Sequence, residues 1–559
     1  MITNILVIQE LACNLKKAML KYNSRRRNFM KLTIKGLNDK NWKEKGYMLP
    51  QFSIDKVKEN TKKNPKWVHF GAGNIFRGFQ AARMQDLLEQ GVEDTGIIVG
   101  EGFDLEIIDK IYKPHDNLSL VVTLKSDGTI EKRVVASVVE SYKCCPDNSE
   151  DYGKLKEIFR NPAFQMASFT ITEKGYAMTP KYVIDDIERG PLECRTIIPM
   201  VTSLAYERFI AGAHPFSFVS MDNCSHNGEK LRNAVLQVAT QWKEKLLVPK
   251  DFVDYISDEK RVSFPLSMID KITPRPDADV KKMLEKDGFE DAEVIITSKR
   301  TYIAPYVNAE QSEYLVIEDR FPNGRPALEK AGIYFTDKDT VNKVERMKVC
   351  TCLNPLHTAM SVAGCLLGFK KISEEMKDSD IVNMIKTLGY KEGLPVVTDP
   401  KILNPKDFID DVVENRLVNP FMPDTPQRIA TDTSQKIAIR FGETVKSYLN
   451  DKNLNVKDLK VIPFVYALWI RYLMAIDDNG NEFTLSPDPM LEELQPIVSQ
   501  LKLGNTDNLK EIVKPILENE KIFGYNLYTS QLFDATFENL KKMLSGTGKV
   551  RETLHGLFV

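Results

Sequence analysis

PKWVHFGAGNIFRGFQAARMQDLLEQG, residues 65–91, is the stretch whose reading decides the fold. A short apolar run, 65–70, stops at Gly71 and reads as a buried strand. Gly71 lets the chain turn sharply, and Gly73 carries no side chain to keep a phosphate from the backbone at the next helix's start. Ala81, Met84, Leu87 and Leu88 then recur at helical steps, and Gly91 is placed to end that helix. TGIIVGE, residues 95–101, supplies a second apolar strand. Strand, glycine turn, helix and strand in this order open a βαβ unit.

Working outward, the runs at 118–124, 133–139, 166–173 and 214–222 read as further strands, and 227–247 as a helix. The first half is therefore expected to be an α/β, Rossmann-like domain with a mainly parallel sheet. From about 320–340 the texture turns helical. Val341, Val344 and Met347 stand at helix spacing, and 465–476 and 508–523 are further helical candidates. We expect an NAD-binding domain over 30–336, a mostly α-helical substrate domain over 337–559, and an extension over 1–29 that takes no part in the fold. Residue Met30 begins MKLTIKGLNDKNW, which resembles an ordinary protein start.

Composition narrows the function. The 559 residues allow two to four domains at roughly 150 residues each. With 77 Lys+Arg against 78 Asp+Glu, the balance argues against a nucleic-acid partner. No uncharged apolar stretch approaches the ~18 residues of a membrane span. The 8 cysteines show no paired spacing, which suits reduced thiols in a cytoplasmic protein and offers no zinc site.

Several constellations carry chemistry. The dinucleotide fingerprint asks for a third glycine where this chain has Phe76, so the turn alone fits a plain structural bend equally well. Asn74, Ile75, Phe76 and Arg77 follow the glycines, with Arg77 as a cation near phosphates or as a solvated helix residue. Glu101 and Asp104 end the second strand, where carboxylates take ribose hydroxyls and favour NAD over NADP, or else cap a helix. In MKVCTCLNPLHTAM, 347–360, Lys348 is a candidate base, Asn354 a candidate oxyanion donor, and His357 shares its helix face. Spacing alone also permits a surface lysine, a helix cap before Pro355 and a buried histidine. Cys350 and Cys352 read as small core residues. Asn223, His226 and Asn227 follow the strand at 214–222, as ligand-facing groups or as turn and cap residues. Asp270 is a candidate acceptor for sugar hydroxyls. Arg428, Lys436 and Arg440 form a cationic run suited to a polyhydroxy acid or to a solvated face.

Seven stretches occur in order: VHFGAGNIFRGFQ, SFTITEKGY, PFSFVSMDNCSHNG, FPLSMIDKITP, YLVIEDRFPNGRP, MKVCTCLNPLHTA and NPFMPDTPQRIATDTSQKIAIR. As a set they resemble the polyol-specific long-chain dehydrogenase family, the mannitol dehydrogenase family. The resemblance implies a metal-independent, NAD(P)-dependent oxidoreductase with its active site between the two domains. It implies Lys348 as acid–base group, Asn223 and Asn354 as oxyanion holders, and His357 as the group orienting substrate. It also implies substrate contacts from Asp270, Arg428 and Lys436. The substrate expected is a small sugar acid or polyol, D-mannonate/D-fructuronate ahead of mannitol/fructose or another hexuronate. The reading from another class is a dinucleotide-binding protein without turnover. Three departures stand out: Ile75-Phe76-Arg77 after the glycines, Leu266 where an asparagine is usual, and five residues rather than four between Lys348 and Asn354. One extra residue rotates a helical side chain by ~100°. We therefore expect a one-residue π-bulge, or an equivalent break, between Lys348 and Asn354. Oligomeric state leaves no trace in the sequence.

Overall fold

The computed structural model describes residues 30–559; the expected extension over 1–29, with Cys13, lies outside the described residues. Strand β1, Trp67–Phe70, is buried along its whole length at the middle of a six-stranded sheet. The glycine turn leads into helix α1, Ala81–Glu89. Then come β2 (Ile97–Glu101), β3 (Val138–Lys143), β4 (Met166–Phe169), β5 (Phe216–Ser220) and β6 (Val262–Ser263). All neighbours pair in parallel, in the order β3-β2-β1-β4-β5-β6. This is the doubly wound Rossmann order. It reverses direction between β1 and β4, and ligands bind outside the carboxyl ends of the strands at such a reversal. Unbroken apolar strands are what a sheet covered on both faces requires.

Two apolar runs went elsewhere. Ser119–Leu124 pairs antiparallel with Ile130–Val135 and parallel with Tyr306–Glu310, in a separate four-stranded sheet completed by Tyr47–Met48. The turn at Ser126–Gly128, with Gly128 at φ +84° and Lys125 N–H donating to Thr129 O at 3.0 Å, makes the hairpin. The run 133–139 is cut at Ala136 and Ser137, which bond to Gln85 and Ala81 of α1 while the chain passes from one sheet to the other. An apolar run reports burial but not its partner, so the two sheets are not separable by composition.

A third small sheet carries β7 (Ser267–Asp270) antiparallel to β8 (Tyr314–Glu318), which pairs in parallel with β9 (Tyr334–Thr336). Helix α2, Asn227–Glu244, packs behind β5. From α3 (Lys338–Met347) onward the chain is helical, with a second large core around α4 (Asn354–Leu367) and the helix Val461–Tyr472. The expected class, a Rossmann-like sheet followed by helices, therefore holds. The candidate at 465–476 stops at Tyr472, and that at 508–523 is two helices, Leu509–Leu517 and Glu520–Phe523, broken where Asn519 caps the second. The helical run Lys338–Leu367 is long and apolar enough to cross a membrane by composition, but 83% of its apolar window is buried inside the protein.

Candidate active site

At the carboxyl ends of β1 and β2 lies a cavity of about 560 Å³ lined by Gly71, Ala72, Gly73, Glu101, Phe103 and Asp104, among others. Gly71 sits at φ +109°, and a Cβ there would lie 2.3 Å from the Thr170 carbonyl oxygen, so no other residue fits without displacing β4. A Cβ on Gly73 would meet nothing within 4 Å, which leaves open space at the start of the helix. Glu101 spends its carboxylate on the turn itself, accepting from Ala72 N–H at 2.7 Å, Phe103 N–H at 2.8 Å and Asp104 N–H at 3.0 Å. Burial pushes its pKa up against those bonds. Asp104 accepts from Thr297 Oγ1 at 2.6 Å, but its Oδ1 is buried without a partner among the described residues. An unspent acceptor beside an open glycine turn is what a dinucleotide's ribose and phosphates need, so the residues present fit that group.

Four of the named cofactor residues are not on this cavity. Ala81 N–H reaches back to Phe76 O, an i→i+5 turn that spans Phe76–Gln80 and rotates the start of the helix inward. Phe76 is fully buried and stacks on His69 at 4.0 Å. Arg77 is fully buried too, donating to Ala304 O at 2.8 Å and Asn74 Oδ1 at 2.9 Å. Burial holds it down to about 10. Asn74 is thereby tied to Arg77, and Ile75 packs on the first core. These residues shape the turn and do not face the cavity.

A second cavity, about 250 Å³, opens where the sheets meet the helices and is lined by Asp222, Asn223, Glu345, Lys348 and Asn354, among others. The two cavities share a wall: Asp222 of this one accepts from the Ile171 and Thr172 N–H groups of the other, at 3.1 and 2.8 Å. Lys348 is 4% exposed. Its amine donates to Asn223 Oδ1 at 3.3 Å and Ile269 O at 3.1 Å, and stands 3.3 Å from Asp270 Oδ1. A lysine has only donors to offer, so Asn223 presents its oxygen to the amine and leaves its NH₂ for a third group.

The bulge expected from the lysine–asparagine spacing is present. Lys348–Cys352 form a π turn, with Leu353 N–H donating to Lys348 O at 3.2 Å. Leu353 then leaves the helical region at φ −129°, and α4 starts at Asn354 with Pro355 in its first turn. One residue is absorbed, and Lys348 and Asn354 line the same cavity. Cys350 and Cys352 are buried, as core residues. His357, one turn on, keeps a partial opening; removal from water holds it down to about 4, the Asp424 and Asp270 charges raising it and the Arg416 and Arg440 charges lowering it.

The remaining candidates separate. Asn227 is buried, and its amide ties Asp222 O to Ser267. His226 is exposed, 3.4 Å from Glu229. Asp270 is not a free acceptor for sugar hydroxyls: it is 6% exposed, and both its oxygens are held by Arg416. Arg416 and Lys348 together hold its pKa down to about 2 against burial. Arg440 donates to Thr358 Oγ1 and to Asn354 O, and burial alone lowers it to about 10 with no carboxylate to offset it. Lys436 donates to Ile429 O and Thr431 O, and burial followed by the Arg440 charge lowers it. Arg428 points outward and pairs with Asp424. Arg416 and its second partner Glu310 were missed; their sequence separations, 146 from Asp270 to Arg416 and 106 from Glu310, left no local signal. Among the described residues, no group of three or more His, Cys, Asp or Glu stands placed to hold a metal ion.

These features define a class: a two-part protein with a dinucleotide-type cavity on a Rossmann sheet and, across one wall, a buried lysine supplied by a helical domain. Residues 65–330 match the mannitol dehydrogenase Rossmann domain and residues 340–544 the mannitol dehydrogenase C-terminal domain; the chain belongs to the mannitol dehydrogenase family. It is 53% identical over 521 residues to a D-mannonate oxidoreductase from Thermotoga maritima, covering 92% of this chain and 96% of that one. It is 30% identical to a mannitol 2-dehydrogenase from Pyrenophora tritici-repentis, covering 83% of this chain and 78% of that one. Among solved structures, the Pseudomonas fluorescens mannitol 2-dehydrogenase in ternary complex with NAD and D-mannitol superposes with a TM-score of 0.66 at 25% identity, over 93% of this chain and 99% of that one. A substrate-free D-sorbitol dehydrogenase, 24% identical with a TM-score of 0.75 over 91% of this chain and 97% of that one, shares the fold.

Proposed function

We propose that this chain is an NAD-dependent oxidoreductase that interconverts D-mannonate and D-fructuronate, with Lys348 as its acid–base group. The observation that carries the reading is the buried amine of Lys348, 3.3 Å from Asn223 in a cavity that Asn354 also lines. The likeness to the Thermotoga D-mannonate oxidoreductase over almost the whole chain selects the substrate pair.

In the oxidative direction the neutral amine takes the proton of the substrate hydroxyl. The free NH₂ of Asn223 and the amide of Asn354 hold the oxygen as negative charge develops. A bound nicotinamide supplies the two-electron acceptor for the hydride of the carbinol carbon. His357, neutral at physiological pH, has one ring nitrogen to donate and one to accept, which suits it to orient substrate hydroxyls. Reduction runs these steps backwards, with the Lys348 ammonium as acid. Arg440 and Lys436, neither spent on a carboxylate in close contact, are the cations we assign to the sugar-acid carboxylate. Arg428, already paired with Asp424, would have to exchange partners to join them. We take the domain boundary at 336/337, between β9 and α3. We place the protein in the cytoplasm, consistent with free thiols at all seven described cysteines.

The test is a panel of ketohexuronates and ketohexoses with NADH and with NADPH. Rapid NADH oxidation with fructuronate and slow oxidation with fructose is the expected result. A preference for fructose would move the chain to the mannitol reaction, and tight NADH binding without turnover of any panel member would make it a non-catalytic binding protein.

A further inference from the structure

Asp270, Glu310, Arg416 and Lys348 form one buried ionic network at the contact between the domains. Each is at most 7% exposed. Asp270 lies on β7 and Glu310 on the strand Tyr306–Glu310, both in the N-terminal half. Arg416 closes the π turn Val412–Arg416 of the helical half. Its guanidinium is divided between two carboxylates. Nη1 donates to Asp270 Oδ2 at 2.5 Å and Nη2 to Asp270 Oδ1 at 3.3 Å, while Nη2 and Nε donate to the two oxygens of Glu310 at 3.0 Å each. Asp270 Oδ1, the oxygen with the longer arginine bond, is the one 3.3 Å from the lysine amine.

The arrangement has a consequence for the reaction. A buried aspartate paired with a lysine alone would hold the ammonium tightly and oppose its loss of a proton. Arg416 competes for that aspartate, and Glu310 competes for Arg416. We propose that Arg416 is a positioning residue for the reaction: by holding Asp270 through both oxygens and sharing its charge with Glu310, it sets the grip of Asp270 on the Lys348 amine, and so the ease with which that amine gives and takes a proton. Burial pushes Glu310 up to about 7, with the Arg416 charge opposing and the Asp270 charge adding. Asp270 stays ionised, and Arg416 is held more firmly protonated by its two carboxylates once they outweigh burial. The other titratable groups facing the network are Asp222, Cys224 and Glu345 in the lysine's cavity, His357 across it, and Lys271 and Tyr314 beside Glu310 and Asp270. All of them remain in the variants below.

The proposal rests on Lys348 as the acid–base group, and its test does not need turnover. The pH dependence of Lys348 carbamylation by cyanate, read by mass spectrometry, reports the amine directly, because only the neutral form reacts. Arg416→Gln leaves Asp270 to the lysine, and the midpoint should rise by about one pH unit or more. Arg416→Lys, which keeps the charge but not the fork, should give a smaller rise. Glu310→Gln frees Arg416 for Asp270, and the midpoint should fall. In a turnover-competent chain the pH profile of kcat for mannonate oxidation should move in the same directions. Identical midpoints in the wild-type chain and every folded variant would overturn the proposal. If neither Arg416 variant folds, Glu310→Gln decides alone, and an unmoved midpoint overturns it. Failure of the wild-type chain to turn over any hexuronate would instead count against the proposed function, whatever the amine's midpoint.

Discussion

Replacing Lys348 by alanine removes the one group that the proposed chemistry needs in order to move a proton. General acid–base catalysis is worth about 10²- to 10⁴-fold. At 1.36 kcal/mol per decade that is about 3 to 5 kcal/mol of barrier. The structural cost is smaller. Among the described residues Lys348 has one ionic partner, Asp270, and that carboxylate keeps both bonds to Arg416 when the lysine is gone. Removing one member of a buried pair costs ~3–5 kcal/mol when a bare charge is left behind. Here Asp270 keeps its arginine, but Arg416 is shared with Glu310, so the remaining three groups are short of one positive charge; the loss should fall just below that range, at about 2–3 kcal/mol, read by urea unfolding. The dinucleotide cavity contains no atom of Lys348, so NADH affinity, read by fluorescence titration, should be unchanged. The vacated space adjoins a cavity of about 250 Å³, so ethylamine added to the assay should restore part of the rate. Turnover within tenfold of wild type, with normal NADH binding, would remove Lys348 from the role.

Three further outcomes follow from particular positions. Gly71→Ala places a Cβ 2.3 Å from the Thr170 carbonyl oxygen at a φ of +109°; strain of this kind costs about 1–3 kcal/mol, and NADH affinity should fall at least tenfold in a fluorescence titration. Deleting Val349 should turn the π turn into a plain α turn and keep measurable turnover, whereas inserting an alanine there should rotate Lys348 away and abolish it. Glu375 is wholly buried with neither carboxylate oxygen bonded, and burial raises its pKa well above the usual value. An acid with a raised folded pKa stabilises fully below its unfolded pKa and loses that contribution as pH rises through the folded one. Stability should therefore decline from about pH 4.5 upward, by at most ~1.4 kcal/mol per pH unit from this group, and Glu375→Gln should flatten the slope in urea melts at successive pH values.

The fold was legible where local pattern and global role coincide. Gly71 must turn the chain, and the turn is visible because only glycine tolerates its backbone and its approach to Thr170. The apolar runs at β1, β2 and β5 are strands because a parallel sheet buries both faces. The strand at Ser119–Leu124 was legible in the same way, but not its sheet, since a hairpin strand buried in a second, four-stranded sheet is equally apolar. Phe76 and Arg77 were placed on the cofactor by counting from the glycines, and the i→i+5 turn at Phe76–Gln80 moved them indoors. Asp270 was recognised as important but assigned to the sugar, because its true partner is far along the chain and belongs to the other domain.

Two of the six π turns among the described residues, Phe76–Gln80 and Lys348–Cys352, explain why counting succeeded at one place and failed at the other. Each adds a residue to a helical turn, and each lies next to a candidate ligand site. At Lys348 the surplus was visible, because two chemically distinctive residues, a lysine and an asparagine, bracket it and have to face one cavity. At Phe76–Gln80 only Arg77 and Gln80 are polar, and neither has a partner recognisable in sequence, so the surplus was silent. A bulged turn can thus be inferred when function constrains both of its flanks and not otherwise. Arg416 lies at the end of another such turn, Val412–Arg416, and the same reasoning applies. If that turn exists to aim the guanidinium between Asp270 and Glu310, deleting Val412 should break the network as surely as replacing the arginine. A Val412 deletion that left the Lys348 carbamylation midpoint unmoved would show that the turn serves packing alone.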